Sequence, residues 1–80
     1  MKFELYSEVA LASDIPQYGL QRGDVVKLVD EHQSVDGTRG YSIEVFNAIG
    51  ETIAVTSVSE DSLEQLRNDE ILCARTLHGS

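Results

Sequence analysis

Five short runs of alternating or β-branched apolar residues, parted by turns bearing glycine or proline, mark an all-β chain. Only residues 59–66 resemble a helix start, and 80 residues suffice for one core but not for two. Together these observations predict a single domain over residues 1–80, a small five-stranded SH3-like barrel with one short helical turn. Closure also meets a physical need. An open sheet of this size leaves two adhesive edges and an uncovered apolar face.

The first run spans residues 3–11, where Phe3, Leu5, Val9 and Leu11 share one parity and Glu4 and Glu8 the other. That period of two predicts a half-buried strand. Ser13 or Asp14 opens a turn, Pro16 fixes φ within it, and Gly19 and Gly23 fall where positive φ is useful. Residues 24–31 form a second strand. There Val25, Val26, Leu28 and Val29 break simple alternation, which fits either a strand covered on both faces or a bulge.

Asp36-Gly37 is a hairpin signal inside the turn at residues 34–40. Tyr41, Ile43 and Val45 then alternate cleanly with Ser42 and Glu44. A turn at residues 48–51 leads into the β-branched run 52–58. Ser59 stands before acidic residues that suit a helix N-terminus of one or two turns. Residues 71–76 supply a closing strand, and residues 77–80 are expected to fray. The predicted inward set is Val9, Leu11, Tyr41, Ile43, Val45 and Val55.

Charge constrains function most. Fourteen acidic residues against six basic ones give a net charge of −8. Such a surface repels phosphate backbones and anionic headgroups and attracts a cationic protein. Lys2, Arg22, Lys27, Arg39, Arg67 and Arg75 are scattered singly. No apolar stretch approaches a membrane span, Met1-Lys2-Phe3-Glu4 does not begin a signal peptide, and Cys73 is alone. The expectation is a soluble cytoplasmic protein.

Ile15-Pro16, Tyr18-Gly19-Leu20 and Gly23-Asp24-Val25 before a strand resemble a family of small bacterial proteins classed as a domain of unknown function. A later signature is similar too: Tyr41-Ser-Ile-Glu-Val-Phe46, Gly50-Glu-Thr-Ile-Ala54 and the acidic turn ending at Leu63. The resemblance covers residues 5–66 and implies an SH3-like barrel with no catalytic residues to carry over. It also implies a place beside a second small protein, as in toxin–antitoxin pairs. In the family a glycine usually follows the Gly-Asp-Val triplet, and it links the family distantly to the KOW motif of ribosome and transcription proteins, where it shapes a contact loop. This chain has Val26 there.

Reactive constellations are few. His32 and His78 lie apart, with no Ser or Cys nucleophile and orienting carboxylate beside either. His32 reads as a solvated turn residue, and Cys73, near Arg75, as a small buried hydrophobe in an edge strand. Asp24, Asp30 and Glu31, or Glu60, Asp61 and Glu64, lack the spacing of a calcium loop, and one cysteine with two histidines does not make a zinc site. No metal and no cofactor are expected. Nucleic-acid binding needs a basic groove with stacking aromatics. Here Tyr41 reads as core, while Tyr6 and Tyr18 are exposed candidates with only Arg22 near. Without tryptophan, a groove for proline-rich peptides is lacking as well.

These readings converge on a non-enzymatic interaction module, an acidic antitoxin, immunity-type or accessory subunit acting on a basic protein, with no nucleic-acid or membrane partner. The expected contact residues are Tyr18, Arg22, Phe46, Glu51, Glu60, Asp61 and Glu64, Phe46 because it breaks the inward parity of its strand. The alternative is an RNA- or ribosome-associated barrel.

Overall fold

A computed structural model of the chain describes residues 3–77. It is an all-β, SH3-like half-barrel. One antiparallel sheet in the order β4-β3-β2-β1-β5 curls around a single core. The strands are β1 (Glu8–Leu11), β2 (Val25–Gln33), β3 (Arg39–Phe46), β4 (Thr52–Ser59) and β5 (Leu63–Glu64). Single 3-10 turns at Pro16–Tyr18 and Glu60–Ser62 are the only helical elements among the described residues. No helix there is long and apolar enough to cross a membrane.

Two bulges shape the sheet. Lys27 and Leu28 pair with Glu44 and Ile43, but Asp30 pairs with Ser42, so Val29 is an extra residue on β2. This resolves the broken alternation of that strand in favour of a bulge. A second extra residue, Ile53, sits on β4, because Val45 pairs with Ala54 while Phe46 pairs with Thr52. Each bulge bends its strand and deepens the twist, which lets so short a sheet wrap its own inner face. The inner face carries Val9, Leu11, Val26, Leu28, Tyr41, Ile43 and Val45, all buried.

The bulge at Ile53 also corrects one expectation. Without it Val55 would lie opposite Ile43 and point inward. The one-residue shift puts Thr56 there instead, and Val55 turns out to solvent at 59% exposure. Ala54 and Val58 pack against the core in its place.

Three further expectations change. Residues 3–7 are not strand: Tyr6 has φ of 65°, a turn that leaves Leu5 exposed while Phe3 stays buried. The segment still joins β2, with Tyr6 N–H donating to the Leu28 carbonyl at 2.6 Å and Leu28 N–H to that of Ser7 at 3.0 Å. Residues 71–76 form no strand either. β1 has only four residues, and Leu63 and Glu64 already pair with Leu11 and Ala10 along its free side. Ile71 and Leu72 are consequently exposed, as is Cys73, which is not a buried hydrophobe. The short helical turn expected after Ser59 is a single 3-10 turn at Glu60–Ser62, but Ser59 does not cap it, since Leu63 must return at once to the core. The fraying expected at residues 78–80 lies outside the described residues.

Tyr41 sits at the centre of the core, fully buried. Its ring meets Phe3 edge-on at 5.8 Å between centroids and 83° between planes. Its hydroxyl accepts the Phe3 N–H at 3.1 Å, tying the N-terminal segment over the open end of the barrel. Ile43, its neighbour on the inner face, is also fully buried. Replacing Ile43 by alanine should cost about 2–5 kcal/mol in a denaturant titration, through lost transfer energy and the cavity left behind.

Candidate functional site

The expected contact residues fall into two groups at opposite ends of β4, whose eight residues span up to about 25 Å. The first lies around the turns leading into β2 and β5. Here the 3-10 turn at Pro16–Tyr18 is closed by the Ile15–Leu20 bridge and by Gly19 at φ of 70°. Tyr18 is left 39% exposed at its end. Asp14 accepts the backbone N–H of Arg22 at 2.8 Å, and Asp24 that of Gln21 at 2.8 Å, so two carboxylates set the course of this loop. The Arg22 guanidinium reaches Glu64 at 3.9 Å. Glu60, Asp61 and Glu64 then line one open depression of about 460 Å³ with Phe3, Leu63 and Gln65.

Behind that depression lies a residue the sequence reading left out. Arg39 shares the inward parity of Tyr41 and is half-buried at the start of β3, hydrogen-bonded to Glu31 and 4.0 Å from Glu60. The Glu31 hydrogen bond is the main cause that raises the Arg39 pKa. Parity alone would have flagged it.

The second group belongs to the β3–β4 hairpin. Asn47 organises the turn. Its side-chain oxygen accepts the N–H groups of Ile49 at 3.1 Å and Glu51 at 2.9 Å, and its amide donates to the Glu51 carboxylate at 2.8 Å. Gly50, at φ of 87°, completes it. Phe46 is 39% exposed and Ile49 80% exposed beside Glu51. The structure thus brings Glu60, Asp61, Glu64 and Arg22 together, and sets Phe46 and Glu51 apart from them.

Charge pairing is lopsided. Arg22, Arg39, Arg67 and Arg75 each lie within 4.0 Å of a carboxylate. Glu8, Asp30, Glu44, Glu51 and Asp61 have no cation that close among the described residues. Lys27 stands in register between Glu8 and Glu44 on the outer face, beyond ion-pair distance of both.

No reactive set assembles among the described residues. His32 lies within β2 rather than in a turn, exposed, its imidazole ring seated on Gly40 so closely that a Cβ there would come within 2.9 Å of the ring. Neither the His32 imidazole nor the Cys73 thiol makes a hydrogen bond among the described residues. No three of His, Cys, Asp and Glu cluster there as metal ligands. Asp24, Asp30 and Glu31 go to separate tasks: Asp24 to Arg75, Asp30 to the Glu31 N–H, Glu31 to Arg39.

A family described as a domain of unknown function (DUF4926) matches residues 5–65. The chain belongs to this family. No curated protein and no solved structure matches it. The match spans every strand of the barrel and stops before the segment that carries Arg75.

That segment is held by a clasp with no sequence signal, since its partners are 51 residues apart. Arg75 donates through Nε to Asp24 Oδ1 at 2.8 Å and through Nη2 to Asp24 Oδ2 at 2.5 Å and the Gly19 carbonyl at 3.0 Å. Partial burial pushes the Asp24 pKa up, but the Arg75 hydrogen bonds, the Gln21 N–H and the Arg75 charge outweigh it, and the net shift is down. A depressed folded pKa means the clasp is fully present above the ordinary value of 3.8 and lost as pH falls through the lower folded value. In an NMR titration residues 71–77 should therefore loosen only at strongly acidic pH. Asp24→Asn should loosen them at neutral pH while leaving the β3 amides unchanged.

Proposed function

We propose that this protein is a non-enzymatic interaction module of the antitoxin, immunity or accessory-subunit type, which binds and restrains one basic protein in the cytoplasm. The observation that carries the reading is the one-sided charge pairing. With four arginines already engaged by carboxylates, what the surface offers a partner is surplus negative charge. The exposed Asp61 and Glu64, the half-buried Glu60 beside them and the exposed Tyr18 supply an acidic rim with an aromatic contact, of the kind that steers a cationic protein into register. Exposed ion pairs such as Arg22–Glu64 add about 0–1 kcal/mol to stability, so they are free to exchange for a partner's cation.

The KOW-like, RNA- or ribosome-associated reading has less behind it. Val26, at the place of the glycine that would shape a contact loop, lies inside β2 with 2% of its surface exposed and pairs with Val9. It fills the core rather than shaping a loop. Tyr18 and Tyr6 are exposed, but Arg22, the one cation near Tyr18 in sequence, is engaged by Glu64.

The test is capture from native lysate of the source cell followed by binding kinetics on the captured protein. The captured protein should be basic, and its association rate should fall steeply as the Debye length shrinks from about 10 Å at 0.1 M salt to about 3 Å at 1 M. Reversing charge together at Glu60, Asp61 and Glu64 should slow association more than it speeds dissociation, the behaviour of rim charges. Short single-stranded RNA should bind more weakly than about 100 μM at 0.15 M salt. Sub-micromolar RNA affinity would retire the basic-partner reading in favour of the ribosome-associated one.

A further inference from the structure

β4 ends the sheet. It pairs with β3 on one side, and among the described residues no backbone hydrogen bond reaches its other side. Natural sheets blunt such an edge with charge, proline, bulges or brevity. The opposite edge follows that rule, because β5 is only two residues long. β4 has eight residues, Thr-Ile-Ala-Val-Thr-Ser-Val-Ser, with no charge and no proline. Its one interruption, the extra residue Ile53, leaves residues 54–59 in unbroken register with β3. Ile53 and Val55 are 42% and 59% exposed along it. In a chain with 14 acidic residues, an uncharged strand at the one long open edge is a marked local departure from the rest of the surface.

The surroundings decide what fits there. Glu51 immediately precedes the strand, Glu60 immediately follows it, and Glu44 lies directly across from Val55. A second copy of the chain is a poor occupant. Antiparallel self-pairing of β4 would set Glu51 of one copy against Glu60 of the other, and would join two bodies that each carry −8. An extended segment with a β-branched centre and basic residues at both ends meets Glu51 and Glu60 with opposite charge, while its backbone takes up the free hydrogen-bonding groups.

We infer that β4 is a docking edge for an extended, cation-flanked strand of a protein partner, which joins the sheet as a sixth strand. The inference rests on the basic-partner reading for the charge of its occupant and adds to it the place and mode of binding. Main-chain hydrogen bonds to residues 54–59 supply the attachment. Ile53 and Val55 offer apolar cross-strand contacts, and Glu51 and Glu60 select the flanks.

Synthetic peptides test this without knowledge of the natural partner. One has a Thr-Val-Thr-Ile-Thr-Val centre with two lysines at each end; a second has the same centre with Gly-Ser ends; a third carries proline in the centre of the lysine-flanked form. The lysine-flanked peptide should bind, and amide exchange should slow at alternate residues within 54–59, the signature of a strand added on one side. The proline peptide should lose that protection. The neutral peptide should bind at least about tenfold more weakly at low salt, with the gap closing near 1 M. The double variant Glu51→Gln, Glu60→Gln should narrow the gap and keep the alternate protection.

Binding of the lysine peptide with protection or shifts at Asp61 and Glu64 but not in β4 would overturn the docking edge and leave the electrostatic reading standing. Equal binding of the lysine and neutral peptides would overturn the cation-flanked occupant. Alternate protection of residues 54–59 that rises with protein concentration in the absence of peptide would overturn it in favour of a second copy. No binding of either peptide would overturn it outright.

Discussion

The curl of one sheet around Tyr41 is the constraint on which the rest of this structure depends. A chain of 80 residues has no second layer to cover an apolar face, so the sheet must cover its own. Tyr41 fills the middle of that enclosure, and its hydroxyl and ring hold Phe3 across the open end. The extra residues Val29 and Ile53 supply the bend. Both lie on strands that flank β3, so β3 stays regular while its neighbours fold around it. The cost of this solution is an incomplete closure. β1 gains β5 as a short partner, whereas β4 gains none.

Much of this was legible in the sequence, and the misses share one cause. The alternation of Tyr41, Ile43 and Val45 identified β3 and its buried face, because a strand with one solvated side writes its period directly into the residues. The bulge on β2 was visible as broken alternation, but the sequence did not choose between a bulge and double coverage. The bulge on β4 left no mark at all, since Ile53 is as good a strand residue as its neighbours. Its effect was to invert the facing of Val55. Register is a property of pairs of strands, and a period read along one strand carries no information about an extra residue opposite the other.

The same limit applies to the surface. The acidic balance and the exposure of Tyr18, Phe46 and Glu51 could be read from composition and parity. What could not be read is which of these residues meet. The Arg75–Asp24 clasp joins positions 51 apart, and Arg39 bridges Glu31 and Glu60 from two different hairpins. With the pairs of Arg22 and Arg67, these contacts engage four of the six basic residues and so define the electrostatic face that remains. An uncharged edge strand bounded by carboxylates follows from the same economy: acidic residues occupy the turns and outer faces, and the one long strand without a second neighbour is left neutral.

The claim at the centre of this account is that the free protein curls around Tyr41 and stops at an open β4. Amide hydrogen exchange on the dilute, unliganded protein measures this directly, because protection reports which backbone groups are bonded and how deeply they are enclosed. The account predicts the slowest exchange in β3, around Tyr41, Ile43 and Val45. In residues 54–59 it predicts a strict alternation, with amides bonded to β3 protected and those facing outward exchanging quickly. Protection across every amide of residues 54–59, as strong as that in β3, would mean that β4 is covered in the free protein and would contradict the account.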